Sequence, residues 1–387
     1  MAMLKKGVLK YEVIGDILSK LTILIFVFAI LFFTGCKQQT PETYTVEIVD
    51  SVRHINNFVL LWDDEPKVAL EFVQKVGEFE SADENYMFHI PLDIDVDSRD
   101  NLFILDRGNY RIQKFNASGK YIRTIGRQGE GPGEFAIPVA LNIRNDTLWV
   151  ADNYAKKISM FNTDGKFIKS IRMKKGFMHF RLLNSGEIAA DILTISSISF
   201  NGKEEMYLFG ILNGEVTVIR EFGKIDVYNI KYISQSVNTA RVTEQDNMIS
   251  FNIDSDDNIY AVYNKQNRIE KFSPDGELLW TADCNLNYKP PFTKNNRNLT
   301  KTPANRLVSW NINIDSKNRI WINTAVQYRQ NRNIPSKKMF EIYDCDGILL
   351  TMLEHPRNFK TMRIIKNSLF LFDFSEESVY EYRTIEK

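Results

Sequence analysis

A chain of 387 residues with 44% hydrophobic and 12% aromatic side chains can bury a large core, so a single substantial domain accounts for most of it. Its 49 basic and 49 acidic groups cancel, and setting aside residues 1–35 leaves the remainder close to neutral, which excludes the strong basic field of a nucleic-acid binder. Helical periodicity is nearly absent beyond the first forty residues, which points to an all-β domain.

The N-terminal segment reads as an export signal. Lys5, Lys6 and Lys10 precede an apolar run from Leu21 to Phe33, too short to span a bilayer comfortably as a helix. The run ends in Phe33-Thr34-Gly35-Cys36, which resembles the bacterial lipobox, where a small residue precedes a cysteine that becomes the acylated first residue; Phe33 stands where that box usually has Leu. Residues 1–35 are therefore expected to be a lipoprotein signal peptide and Cys36 the lipidation site. The polar stretch 36–66, carrying Pro41, is expected to be a tether. The membrane is then a partner through Cys36, with the protein lipid-anchored in the cell envelope, at the outer membrane or the periplasmic face.

Next comes a recurring phrase: a strand ending in Asp, a short turn, a strand ending in an aromatic residue, and a turn containing Gly. The first copy has Asn101 to Asp106, Arg111 to Phe115 and Ser118-Gly119; the second has Thr147 to Asp152, Lys157 to Phe161 and Asp164-Gly165. A third has Asn258 to Tyr263, Arg268 to Phe272 and Asp275-Gly276, with Tyr263 in place of Asp. Weaker copies lie at Tyr207-Leu208-Phe209 with Gly214, at Met339 to Tyr343 with Gly347, and at Ser368 to Asp373 with Ser378 to Tyr382. Six copies of a short-stranded unit predict a six-bladed β-propeller over residues 67–387, with insertions lengthening the later repeats. The last copy stops after its third strand, whereas Val68 to Gly77 reads as an orphan fourth strand. The N-terminal strand is therefore expected to complete the final blade and close the ring, leaving no open edge.

The segments Asp106-Arg107-Gly108-Asn109-Tyr110-Arg111 and Gly126-Arg127-Gln128-Gly129-Glu130-Gly131-Pro132-Gly133-Glu134-Phe135 resemble the NHL-repeat and TolB-like propellers, and more closely the six-bladed propeller lipoproteins of Bacteroidetes. That resemblance implies a periplasmic or surface-attached propeller, in a group most of whose members have no assigned reaction. The glycine-rich loop precedes a strand, not a helix, so it lacks the helix N-terminus of a phosphate cradle. It reads as a shaped crossing between blades, with the alternative of a rim loop presenting Arg127, Glu130 and Glu134 to a ligand.

Of the four histidines, His89 and His179 each lie just before the first strand of a blade. Six-bladed lyases that act on hydroxyglycine peptides hold a metal with histidines in comparable positions, but a catalytic zinc needs three ligands and no third histidine is placed for it. The acids Asp93, Asp95, Asp97 and Asp100 lack the Gly and distal Glu of a helix-flanked calcium loop and read as turn chemistry. Ser196, Ser197 and Ser236 sit in no nucleophile motif. The basic and aromatic insertion from Tyr288 to Arg306 reads as a solvated loop, with a lid or partner surface as the alternative. Cys284 and Cys345 sit in equivalent late-blade regions of neighbouring repeats and read as independent buried thiols, with a pair as the alternative. The expected function is a non-enzymatic, ligand- or partner-binding module with no cofactor, whose partner is an envelope protein, peptide or glycan. The residues to test are Arg107, Arg111, Arg127, Glu130, Glu134, Asp152 and His179. A metal-assisted lyase or hydrolase using a divalent ion at the axis, and an envelope scaffold, are the alternatives.

Overall fold

Each repeated phrase becomes one antiparallel sheet. The computed structural model describes residues 42–62, 65–174, 176–192, 207–224, 249–264, 268–284, 309–324 and 338–387. Cys36, the run 21–33, Ser196, Ser197, Ser236 and the segment 288–306 lie outside the described residues. The chain divides into two units, Met1–Glu42 and Thr43–Lys387, and the described strands all belong to the second. Among the described residues no helix is long and apolar enough to cross a membrane.

The second unit is the six-bladed all-β propeller that the repeats predict, built from five four-stranded sheets and one of six strands. Blade 1 consists of Pro91–Val96, Leu102–Asp106, Arg111–Phe115 and Tyr121–Ile125; blade 2 of Pro138–Arg144, Thr147–Asp152, Lys157–Asn162 and Phe167–Arg172. Blade 3 has Phe180–Leu182, Ile188–Asp191, Tyr207–Leu212 and Val218–Lys224; blade 4 has Ile249–Ile253, Ile259–Tyr263, Arg268–Phe272 and Leu278–Cys284. Blade 5 has Ser309–Ile314, Ile320–Thr324, Met339–Tyr343 and Leu349–Glu354, and blade 6 has Thr361–Ile365, Ser368–Asp373 and Ser378–Glu386. The fourth strand of blade 6 is Val68–Val76, paired antiparallel with Ser378–Glu386 from Val379↔Val76 to Glu386↔Val68, so the front of the propeller clasps its end as expected.

The core is divided among the blade interfaces, because alternate residues of every strand point to opposite faces and both faces are covered. Phe103, Leu105 and Ile112 of blade 1 pack on Leu141, Leu148 and Phe161 of blade 2, and the same arrangement recurs at each seam through blade 6, where Phe370 and Phe372 meet Ile94 and Ile104 of blade 1. Full burial of each such side chain contributes about 1.5–3 kcal/mol.

The first strand of every blade begins at one face, termed upper here, and runs to the lower face. Lower-face hairpins are tight and self-sealed. Asp97 Oδ1 accepts from the N–H groups of Arg99 and Asn101, Asp254 Oδ1 from Asp256 and Asn258, and Asp315 Oδ1 from Lys317 and Arg319. Asn116, Asn213 and Asp344 do the same between third and fourth strands. These are Asx turns, which explains why Asp and Asn recur there. The blade 3 turn departs from the expected pattern. Its left-handed position, filled by Gly119, Gly165, Gly276 and Gly347 elsewhere, falls on Val216 at φ 58° and not on Gly214.

Two further expectations are corrected. Within the presumed tether 36–66, Tyr44–Val49 and Val52–Asn57 form a hairpin around Asp50-Ser51, and its second strand pairs parallel with Leu278–Cys284 to widen blade 4 to six strands. The alternation Thr45, Val46, Glu47, Ile48 is what makes it a strand, and buried Asn57 fastens it by donating to the carbonyls of Asp283 (3.2 Å) and Gly347 (3.0 Å) and accepting from Leu349 N (2.8 Å). The cysteines are not in equivalent places: Cys284 ends the fourth strand of blade 4, while Cys345 lies exposed and free in the lower-face turn of blade 5, not buried as expected.

Candidate functional site

The Asp that ends a second strand is a latch for the chain arriving at the upper face. Asp106 is fully buried and accepts from His89 N at 2.7 Å, Arg111 Nε at 2.8 Å and Asn109 Nδ2 at 2.9 Å. Asp152, also fully buried, accepts from the N–H groups of Ala136 (2.6 Å), Ile137 (3.1 Å), Tyr154 (3.1 Å) and Ala155 (3.0 Å). In blade 3 the same place is taken by Asp191, which accepts from Met178 N (2.8 Å) and His179 N (3.1 Å), and in blade 6 by Asp373. Asp106, Asp152 and Asp191 thereby fix where the first strand of their own blade begins, while Asp373 holds its own turn through Ser375 N and Glu376 N, all satisfying N–H groups that no ladder reaches.

The seven residues singled out by sequence all lie at the upper face, but most are spent on building it. Arg111 joins Asp106 to the carbonyls of Glu84 (3.0 Å) and Met87 (2.7 Å). Asp152 is a latch, out of solvent. Arg107 is half-buried on the 3-10 turn Arg107–Asn109. In the glycine-rich loop, Glu134 accepts from Gly131 N (3.0 Å) and Arg127 Nε (2.9 Å), and these two contacts hold its carboxyl below the ordinary range. Lys157 closes the loop from within by donating to the carbonyls of Glu130 and Gly131, both at 2.8 Å. The loop is thus a shaped crossing; Arg127, 82% exposed, and the exposed Glu130 side chain are what it shows to solvent. His179 continues the first strand of blade 3, pairs with Asp191 through Nδ1 at 2.9 Å, and keeps 46% of its side chain exposed. His89 instead pairs with Glu377 at 3.0 Å, at the seam of blades 1 and 6. Among the described residues no group of three or more His, Cys, Asp or Glu is arranged to hold a metal ion.

The axis itself was not legible residue by residue. The cross-strand register puts Asp95 opposite Phe103, Asn142 opposite Trp149, Arg181 opposite Ala189, Asn252 opposite Tyr260, Asn313 opposite Trp321 and Arg363 opposite Phe370. These six are equivalent positions on the innermost strands, so they form one belt around the axis. Two residues earlier, a second belt toward the upper face contains Asp93, His179, Ser250, Asn311 and Thr361. The signal for the first belt was present in blades 1 to 5 as a polar residue directly before the last apolar residue of the first strand, as in Asp95-Val96 and Asn313-Ile314, whereas Arg363 of blade 6 precedes two, Ile364 and Ile365.

The belt stitches blades together. Asp93 and Asp95 are not turn residues: they accept from Leu141 N (3.0 Å) and Ile143 N (2.7 Å) of blade 2. Asn142 donates to Phe180 O (3.0 Å), Arg181 Nε to Asn252 Oδ1 (2.9 Å), Asn252 to Asn313 Oδ1 (3.2 Å), and Asn313 both donates to Met362 O (3.3 Å) and accepts from Ile364 N (2.9 Å). Burial, with the Arg363 charge added, pushes the Arg181 guanidinium down to about 9. Burial likewise raises Asp95, against the pull of Arg363. Two carboxylates and two guanidinium groups therefore share the axis in a setting where charge interacts strongly.

Among solved structures, the chain is similar to a protein named as exported from Bacteroides fragilis, with TM-score 0.57 and 13% identity over 86% of this chain and 99% of that one. It is also similar to a member of the DUF4221 family from Bacteroides vulgatus, with TM-score 0.52 and 12% identity over 83% of this chain and 99% of that one. Virginiamycin B lyase from Staphylococcus aureus matches with TM-score 0.45 and 14% identity over 82% of this chain and 100% of that one, a likeness too loose to bear on activity. Identities this low speak for the fold alone. No curated protein matches the sequence. The model of a family described as a domain of unknown function, DUF4934, matches residues 96–331, from blade 1 into blade 5, and the chain belongs to that family.

Proposed function

We propose that this chain is an exported propeller of the NHL and TolB-like kind, lipid-anchored in the envelope through Cys36, that binds a ligand or partner on its upper face and catalyses no reaction of its own. The observation that carries this reading is the inequality of the two faces. Lower-face turns are short and spend their polar side chains on themselves, whereas the upper face gathers Arg127, Glu130, the exposed Tyr154 and the mouth of a charged axis. The lipobox-like Phe33-Thr34-Gly35-Cys36 supports the anchor, which makes the membrane one partner and an envelope protein, peptide or glycan the other.

A photo-crosslinking residue placed in living cells at Arg127, Glu130 or Tyr154, compared with Lys120 or Lys166 on the lower face, tests this. Adducts of a common species from the upper positions alone are expected; equal or exclusive crosslinking from the lower face refutes the assignment. Palmitate incorporation lost in Cys36→Ala is expected for the anchor, and incorporation that survives the substitution overturns it.

A further inference from the structure

Five of the six steps around the axial belt are closed by a side chain of one blade bonding to the next: Asp95 to blade 2, Asn142 to blade 3, Arg181 to blade 4, Asn252 to blade 5 and Asn313 to blade 6. The sixth step, from Arg363 of blade 6 to blade 1, is not. Arg363 is only 8% exposed, and among the described residues no hydrogen-bond acceptor is found for its guanidinium. It interacts through space with Asp95 and Arg181.

Unlike Arg268 Nε and Arg357 Nε, none of the Arg363 nitrogens is both shut away from solvent and unpartnered, so the guanidinium faces the water of the axis and is open to a ligand. The neighbouring acids are already committed. Asp93 accepts from Ile94 N and Leu141 N, both at 3.0 Å, and Asp95 from Val96 N (2.9 Å) and Ile143 N (2.7 Å), so all four carboxylate oxygens hold backbone in place. Among the described residues, the five donors of Arg363 and the Arg181 donors beyond those to Asn252 and Phe180 are spare polar capacity at the axis. Above it the half-buried Asp93, Ser250, Asn311 and Thr361 line the approach from the upper face.

We propose that the propeller axis is a binding site for the carboxylate of a small molecule, held by the Arg363 guanidinium with Arg181 beside it. A planar guanidinium matches a carboxylate through two parallel N–H···O bonds. The charge of the site selects among anions: Asp93 and Asp95 offset Arg181 and Arg363, so a single negative charge is accommodated where a phosphate dianion is repelled by the two fixed carboxylates. Such a carboxylate is found on a sugar acid or at a peptide C-terminus, and both carry hydroxyl or amide groups suited to the Ser250, Asn311 and Thr361 side chains. The inference deepens the upper-face reading and rests on it only for the direction of access.

Isothermal titration of the full-length protein in detergent tests the site, with glucuronate, N-acetyl-alanyl-alanine, inorganic phosphate and chloride as probes. Saturable binding of glucuronate or of the peptide is expected, and whichever binds names the source. Arg363→Gln is expected to weaken binding by about tenfold or more, as is Arg363→Lys, which keeps the charge but loses the fork, while Lys166→Gln on the lower face leaves it unchanged. A second readout needs no ligand: because Arg363 makes no structural hydrogen bond, unliganded Arg363→Gln is expected to melt no lower than the wild type. Failure of both carboxylates to bind, binding indifferent to Arg363→Gln and Arg363→Lys, phosphate or chloride bound as tightly, or a marked fall in the melting temperature of Arg363→Gln would each overturn the proposal. Carboxylate binding without upper-face crosslinks refutes the partner reading alone, and crosslinks without carboxylate binding refute the axial site alone.

Discussion

Replacing Asp152 by Ala tests how the repeat is held together. The carboxylate is fully buried and accepts four N–H groups, three on Oδ1 (Ile137, Tyr154 and Ala155) and one on Oδ2 (Ala136). Ile137 and Tyr154 are exposed residues whose N–H groups regain water on truncation, whereas those of the half-buried Ala136 and Ala155 regain less. Leaving two donors unsatisfied at about 1–3 kcal/mol each gives an expected loss of about 2–6 kcal/mol for Asp152→Ala. Asp152→Asn keeps an oxygen for the three Oδ1 donors and turns an amide against Ala136 N, so about half that loss is expected. Urea unfolding followed by tryptophan fluorescence, with Trp149 on the same strand, gives both values. A loss below about 1 kcal/mol for Asp152→Ala, or equal losses for the two variants, would refute the latch.

Gly126 sits at φ +80° and the Phe135 ring fills the place a Cβ would take, so Gly126→Ala combines backbone strain with a steric clash and is expected to cost about 2 kcal/mol or more, read as a lower urea midpoint. Asn57→Ala leaves the carbonyls of Asp283 and Gly347 and the N–H of Leu349 without their partner; a loss of about 2–4 kcal/mol and faster proteolysis within 44–57 are expected. His355, packed on Phe340 and Phe359 at 4.3 and 4.7 Å, is pushed by burial from 6.5 down to about 4. The unfolded chain therefore binds the extra proton, and stability is lost as pH falls from 6.5 toward 4; His355→Phe should remove that slope. Burial raises Glu341 from 4.5 to about 7, so here the folded chain keeps the proton and stability is lost as pH rises between those values. Glu341→Gln, melted at both ends of that window, should show a smaller decline than the wild type.

What was legible in the sequence was whatever is encoded within one repeat. Asp106 and Asp152 end their strands because each latches a chain segment fewer than twenty residues upstream, and Asp97, Asp254 and Asp315 seal turns two to four residues long. Ring closure by Val68–Val76 was legible because a missing strand at one end matched a surplus one at the other. The axial belt was not, because it depends on the register of strands from separate blades, and bulges at Pro91/Asp93, Pro138/Ala140 and Trp310/Ile312 change which residue faces inward. Asp93 and Asp95 were misread as turn residues for that reason: their acceptors serve N–H groups 48 residues away. The hairpin Tyr44–Asn57 was hidden by composition, since its polar alternate positions read as tether when the blade edge that receives it is unknown.

Amide hydrogen exchange of the full-length protein, with and without a saturating small carboxylate, tests the central claim most directly. Slowed exchange in the first strands of blades 1, 3 and 6, within residues 89–96, 179–182 and 361–365, with no change in the lower-face turns 97–101, 116–120 and 162–166, is the predicted result. Protection confined to the lower face, or none anywhere along the first strands, would contradict it.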